Sequence, residues 1–217
     1  MRDPNPTLAD SIDSMLAVLT TNRDAGTSPP AVSESADVPA ACHGDRAAIR
    51  AVLTRLLPRV RNLVRYLVRG DQDADDIAQD ALVALLHGLP TYRAEGTIES
   101  WADRVTARAT FRALAARRRD RARSDVDAMG ELIVLSSVPT QPDEYAARRR
   151  SVRHLDELPD EQRHALVLHH VLGMSVPEIA VETRAPEETV RSRLRLARAR
   201  FRELADGEPS AAPRSRR

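Results

Sequence analysis

The chain has 217 residues, 33 basic against 32 acidic side chains, a formal net charge of +1, one cysteine and 3% aromatic residues. That balance excludes a wholesale polycation. The lone Cys42 excludes an intrachain disulfide and a cysteine-based zinc site, and abundant Leu, Val and Ala beside few aromatics argue for packed helices over a strand-rich sandwich or barrel. No run approaches the roughly 20 apolar residues that span a bilayer, and no basic segment leads into a long apolar core. The expectation is an all-α chain of two small helical domains, cytoplasmic and without membrane insertion.

Residues 1–45 are rich in Pro, Ser, Thr, Asp and Ala, with two basic residues (Arg2 and Arg23) against seven acidic ones. Such a composition cannot bury a core, so the segment reads as a mostly disordered N-terminal extension. One apolar patch, Ile12, Met15, Leu16, Val18 and Leu19, has the pattern of a short helix. From 46 to 119 the apolar spacing is helical, with breaks at Gly70-Asp71, at Gly88-Leu89-Pro90 and around Gly96, which predicts about four helices and a first domain. Residues 120–142, with Gly130, Pro139 and Pro142 around a small apolar run, read as a flexible linker. Helical periodicity resumes over 143–206, and residues 207–217 form a disordered tail of Pro, Ser and Arg.

All basic residues are Arg, which reflects coding bias first and a supply of planar donors for phosphates and base edges second. In the second domain Asp160 is expected to cap a helix that closes near Gly173. Ser175-Val176-Pro177-Glu178 reads as a capping box, a serine oxygen taking a backbone N–H three residues on while the glutamate reaches back. After a bend at 183–185, Pro186 sits where a helix starts. In that last helix Val190, Leu194, Ala197, Phe201 and Leu204 form an apolar stripe, and Arg191, Arg195, Arg198 and Arg202 run parallel one residue along. An Arg stripe alone fits a solvated face. Joined to the capping box and the turn, it has the geometry of a helix-turn-helix entering a major groove. His154, His164, His169 and His170 lack metal-ligand spacing and acidic or Cys companions, so no metal site and no cofactor is expected.

In the first domain the segment 73–82 puts Ile77, Ala78, Ala81, Leu82 and Leu85 on one helical face and Asp73, Asp76 and Asp80 on another. An acidic stripe with an amide beside it suits a basic protein partner and repels DNA; the alternative is a solvated face. The segment Asp73-Ala74-Asp75-Asp76-Ile77-Ala78-Gln79-Asp80 resembles the polymerase-binding helix of sigma factors of the extracytoplasmic-function group in the sigma-70 family. The similarity spans about 46–119 (sigma region 2, a helical bundle) and 143–205 (region 4), the latter carried by residues 158–163, 175–180, 189–194 and 197–200.

That resemblance implies that Asp73, Asp76, Gln79 and Asp80 bind core RNA polymerase. It implies that Trp101, Arg104, Arg108, Arg112, Arg117, Arg118 and Arg119 melt and read the minus-ten element of promoter DNA. It implies that Ser175, Glu187, Glu188, Thr189, Arg191, Ser192 and Arg195 read the minus-thirty-five element, and that an anti-sigma factor or other regulator is a further partner. Trp101 is either a stacking platform or the packing anchor of its helix. Arg108 and Arg112 depart from the family pattern, Arg112 standing where Asp is common, and Arg184 replaces a turn glycine at a position that wants positive φ. The acidic N-terminal extension could bind a regulator or shield the basic DNA-binding surface. A stand-alone helix-turn-helix regulator is the alternative function; an enzyme is not expected, because no phosphate loop, metal triad or nucleophile-base pair occurs.

Overall fold

The structure, a computed structural model, describes residues 36–70, 72–121 and 151–207. They form two separately packed helical units, and no strand occurs among the described residues. The patch at 12–19, nearly all of the expected linker and the tail from 208 lie outside them.

The first unit contains α1 (Asp37–Cys42), α2 (Arg46–Leu67), α3 (Gln72–Gly88), a 3-10 turn (Leu89–Thr91) and α4 (Ile98–Arg121). Its beginning differs from the boundary expected at 46. Helix α1 packs on α2 and buries Val38 and Ala41, and burial pushes the Cys42 thiol above its ordinary value, away from thiolate reactivity. Asp45 caps α2 by accepting from Ala48 N at 2.7 Å. Pro58 interrupts nothing in α2, since it sits on the exposed face where the carbonyl it leaves unpaired meets water. The opposite face is a helical-period stripe of Val52, Leu56, Val60, Leu63, Val64 and Leu67. It meets Ile77, Ala81 and Leu85 of α3 and Ile98 and Ala102 of α4, all buried. The fourth helix expected between the breaks at 88–90 and 96 is replaced by the 3-10 turn and extended backbone, because Pro90 and Gly96 leave too few residues for a second turn.

One polar clamp crosses this core. Arg59 of α2 grips Asp103 of α4 with two hydrogen bonds of 2.6 and 2.7 Å, and Asp103 is buried. Burial works against the Arg59 charge, yet the hydrogen bonds and charge of Asp103, with Glu99, outweigh it and hold the guanidinium pKa above its ordinary value.

The second unit has helical residues at 151–156, then α5 (Asp160–His170), α6 (Val176–Thr183) and α7 (Glu187–Gly207). Leu155, Leu158, Leu166, Leu168, Ile179, Val190, Leu194, Ala197 and Phe201 form its core. Arg163 is fully buried and donates to Asp156 at 2.7 Å; His154 meets Phe201 edge-on at 5.6 Å. The cap of α5 is Pro159, with Asp160 already inside the first turn, so the expected Asp160 cap is displaced by one residue. There its charge still favours the positive end of the helix dipole.

Candidate protein and nucleic-acid interfaces

Helix α3 begins with Asp73 and Asp75 in its first turn. Acidic residues there are also what the helix dipole favours, so position alone does not mark an interface. Exposure adds the distinction. Asp76, Gln79 and Asp80 lie on the outer face, the Asp76 side chain 78% exposed, while Ile77, Ala78 and Ala81 are buried beneath. Beyond this acidic turn Val83 (46%) and Leu86 (39%) are exposed large apolar side chains. Pattern reading missed them because apolar residues in a helix are counted as core; their signal was that they fall off the 77, 78, 81, 85 stripe.

Asp73 behaves differently from the other three. It is bonded at 3.0 Å to Arg117 of α4, whose second guanidinium nitrogen stands 3.8 Å from Asp76. The same Arg117 also reaches the Asp73 carbonyl at 3.4 Å. At 100° per residue, Arg104, Arg108, Arg112, Arg118 and Arg119 fall within an arc of about 120° on α4, and Arg117 lies on the other side. All five are exposed. The structure thus groups five of the six arginines assigned to DNA and gives the sixth to the acidic helix. Trp101 is half-buried, 5.6 Å from Tyr92 between ring centroids, and packed so close to Gly88 that a Cβ there would stand 2.9 Å from Trp101 Cζ2. That is the packing-anchor alternative for Trp101, with Gly88 as the residue that makes room.

In the second unit the capping box forms as spaced: Ser175 Oγ accepts from Glu178 N at 3.5 Å, and Glu178 accepts from Ser175 N at 2.9 Å and from Ser175 Oγ at 2.8 Å. The Ser175 hydroxyl is therefore committed to the start of α6. Arg184 ends α6 in the left-handed region at φ 53°, ψ 41°, and Ala185 N closes the turn on Ala180 O at 3.0 Å. This sets α7 across α6. At the α7 N-terminus Glu187 and Glu188 accept from Arg191 at 2.7 and 3.3 Å, so three residues assigned to DNA hold one another. Thr189 and Ser192 are half-buried and Arg195 is exposed.

Between the start of α6 and the length of α7 lies a groove of about 480 Å³, floored by Val176, Leu194 and Ala199 and walled by Arg191, Arg195, Arg198 and Arg202. Arg198 Nε donates to His170 Nε2 at 3.3 Å, which requires that nitrogen unprotonated, and His169 Nδ1 lies 2.9 Å from Met174 O. Among the described residues no group of three or more His, Cys, Asp or Glu stands at metal-ligand spacing, and no described helix is long and apolar enough to cross a membrane.

Two family descriptions match the chain: Sigma-70 region 2 over residues 52–120 and Sigma-70, region 4 over residues 152–201. The chain is 30% identical over 164 residues to the ECF RNA polymerase sigma-E factor of Escherichia coli (strain K12), covering 71% of this chain and 85% of that one. It is 30% identical over 161 residues to the ECF RNA polymerase sigma factor SigM of Mycobacterium tuberculosis (strain ATCC 35801), covering 74% and 79%. In fold it is similar to the sigma factor RpoE from Bartonella quintana, solved with the anti-sigma factor NepR, with TM-score 0.55 at 21% identity, covering 74% of this chain and 98% of that one.

Proposed function

Because this chain belongs to the sigma-70 family, as an RNA polymerase sigma factor of the extracytoplasmic-function group, we propose that its two folded units divide the work of transcription initiation. The first unit, taken from Asp37 to Arg119, docks on core polymerase through Asp76, Gln79 and Asp80, with Val83 and Leu86 continuing the contact. The five-arginine face of α4 engages the minus-ten element. The second unit reads the minus-thirty-five element through the N-terminal turns of α7, with Thr189, Ser192 and Arg195 foremost and Arg191 available once DNA competes with its glutamates.

The observation that carries this reading is the separation of charge. The exposed acidic turn of α3 and the arginine faces of α4 and α7 occupy different helices, so a basic protein surface and a polyanion can be bound at once without competing. The minus-ten contact is electrostatic and strand-positioning first, since Trp101 packs against Gly88 and leaves stacking to other surfaces. The chain acts as a binding subunit in the cytoplasm, not as an enzyme, and an anti-sigma factor or similar regulator is its further partner. Co-purification with core polymerase followed by run-off transcription tests the proposal: a stand-alone regulator would bind promoter DNA but neither assemble with polymerase nor support initiation.

A further inference from the structure

We propose that the groove along α7 is a seat for the chain's own N-terminal segment, residues 10–19, which occupies it in competition with DNA. The groove has two chemistries. Its floor of Val176, Leu194 and Ala199 is apolar, and its wall is an arginine stripe from Arg191 to Arg202. A phosphate strand uses only the arginines and leaves the floor unfilled. An acidic amphipathic segment uses both, and the two kinds of contact reinforce each other.

The sequence outside the described residues supplies such a segment. Residues 1–35 hold five acidic residues, Asp3, Asp10, Asp13, Asp24 and Glu34, against Arg2 and Arg23. Within them Ile12, Met15, Leu16 and Leu19 recur at i, i+3, i+4 and i+7, with Asp10 and Asp13 flanking the stripe. Ten residues of helix are about 15 Å long, and the arginine stripe, eleven residue steps from Arg191 to Arg202, spans about 16 Å. Because the segment belongs to the same chain, its contact with the groove is intramolecular. Among the described residues Arg195 and Arg202 have no acidic partner, and these are the charges the segment would answer.

The effect on DNA rests on the DNA-binding reading of α7, but the seating does not, and the two are measured apart. A fluorescent peptide of residues 8–20 is titrated into the chain lacking residues 1–35 and into that truncated chain carrying Arg198→Glu and Arg202→Glu, with circular dichroism checking the fold. Binding to the first and at least tenfold weaker binding to the second is expected; no binding, or equal binding to both, overturns the seat. In parallel, a fluorescein-labelled mixed-sequence duplex is titrated into the full chain, the truncated chain and the full chain with Leu16→Asp. Truncation and Leu16→Asp should each tighten duplex binding by about tenfold. If truncation tightens it and Leu16→Asp does not, bulk charge is responsible and the groove seat is wrong. If no form binds the duplex, the DNA-binding reading of α7 fails, while the peptide titration still decides the seat.

Discussion

Arg117 and Asp73 are joined at 3.0 Å across the α4–α3 interface, so the last turns of the proposed DNA helix and the first turn of the proposed polymerase helix share an ion pair. Asp76, at 3.8 Å from the same guanidinium, is held near the pair but not consumed by it. On the proposed reading, Arg117 positions the docking face and does not contact DNA. Arg117→Ala is expected to cost only about 0.5 kcal/mol in unfolding, because both partners are partly solvated, and to weaken polymerase binding a few-fold. Affinity for single-stranded minus-ten DNA should stay within twofold, whereas Arg108→Ala should lower it and flatten its salt dependence. Equal losses of DNA affinity in both variants would return Arg117 to the DNA face.

The Arg59–Asp103 clamp is more enclosed. Asp103→Ala leaves a guanidinium largely stripped of water without its two hydrogen bonds, and should destabilise the first unit by about 2 kcal/mol in urea denaturation. Because the Arg59 pKa is raised on folding, its contribution is fully present below the unfolded value and lost only as pH rises through the folded one. Between neutral pH and mild alkali the clamp should thus not weaken from its basic side; a drop in the wild-type urea midpoint that is absent in Asp103→Ala over that interval would show otherwise.

Gly88→Ala adds a methyl where Trp101 Cζ2 would stand at 2.9 Å. The backbone at Gly88 is right-handed, so no strain arises from φ, and the cost is the displaced indole, about 1–2 kcal/mol. Trp101 is the only tryptophan, so its emission reports the change directly. A red shift with a lowered midpoint is expected; an unshifted spectrum would mean the ring does not rest there.

Arg184 occupies the left-handed region that a glycine adopts without cost. Arg184→Gly should relieve about 1 kcal/mol of backbone strain and raise the thermal midpoint of the second unit. A lowered midpoint would indicate that the Arg184 side chain contributes more than the turn costs.

Local rules were legible in the sequence wherever the partners are neighbours. The Ser175–Glu178 box follows from residues three apart and the apolar stripe of α7 from its period, while the left-handed turn at Arg184 is expected from the family resemblance, which has a glycine there. The pairing of Arg117 with Asp73 could not be read from the sequence because the two are 44 residues apart; helix phase alone says only that Arg117 faces away from Arg108. The Arg59–Asp103 pair, also 44 residues apart, left no trace for the same reason. Helix α1 went unseen because six residues with two buried side chains give no periodicity to detect. Val83 and Leu86 were hidden by composition, since exposure is set by tertiary packing and not by residue type.

The measurement that bears most directly on the division of labour is a pair of variants assayed for core polymerase affinity and for promoter-dependent transcription. Asp80→Arg reverses charge on the exposed face of α3 while leaving Ile77 and Ala81 packed, and should weaken polymerase binding at least tenfold, removing transcription with it. Arg195→Ala on α7 should leave polymerase affinity within twofold yet lower transcription by an amount equivalent to about 1–3 kcal/mol of promoter binding. Folded Asp80→Arg protein that binds polymerase and initiates normally, or Arg195→Ala protein that loses polymerase, would contradict the assignment of the two surfaces.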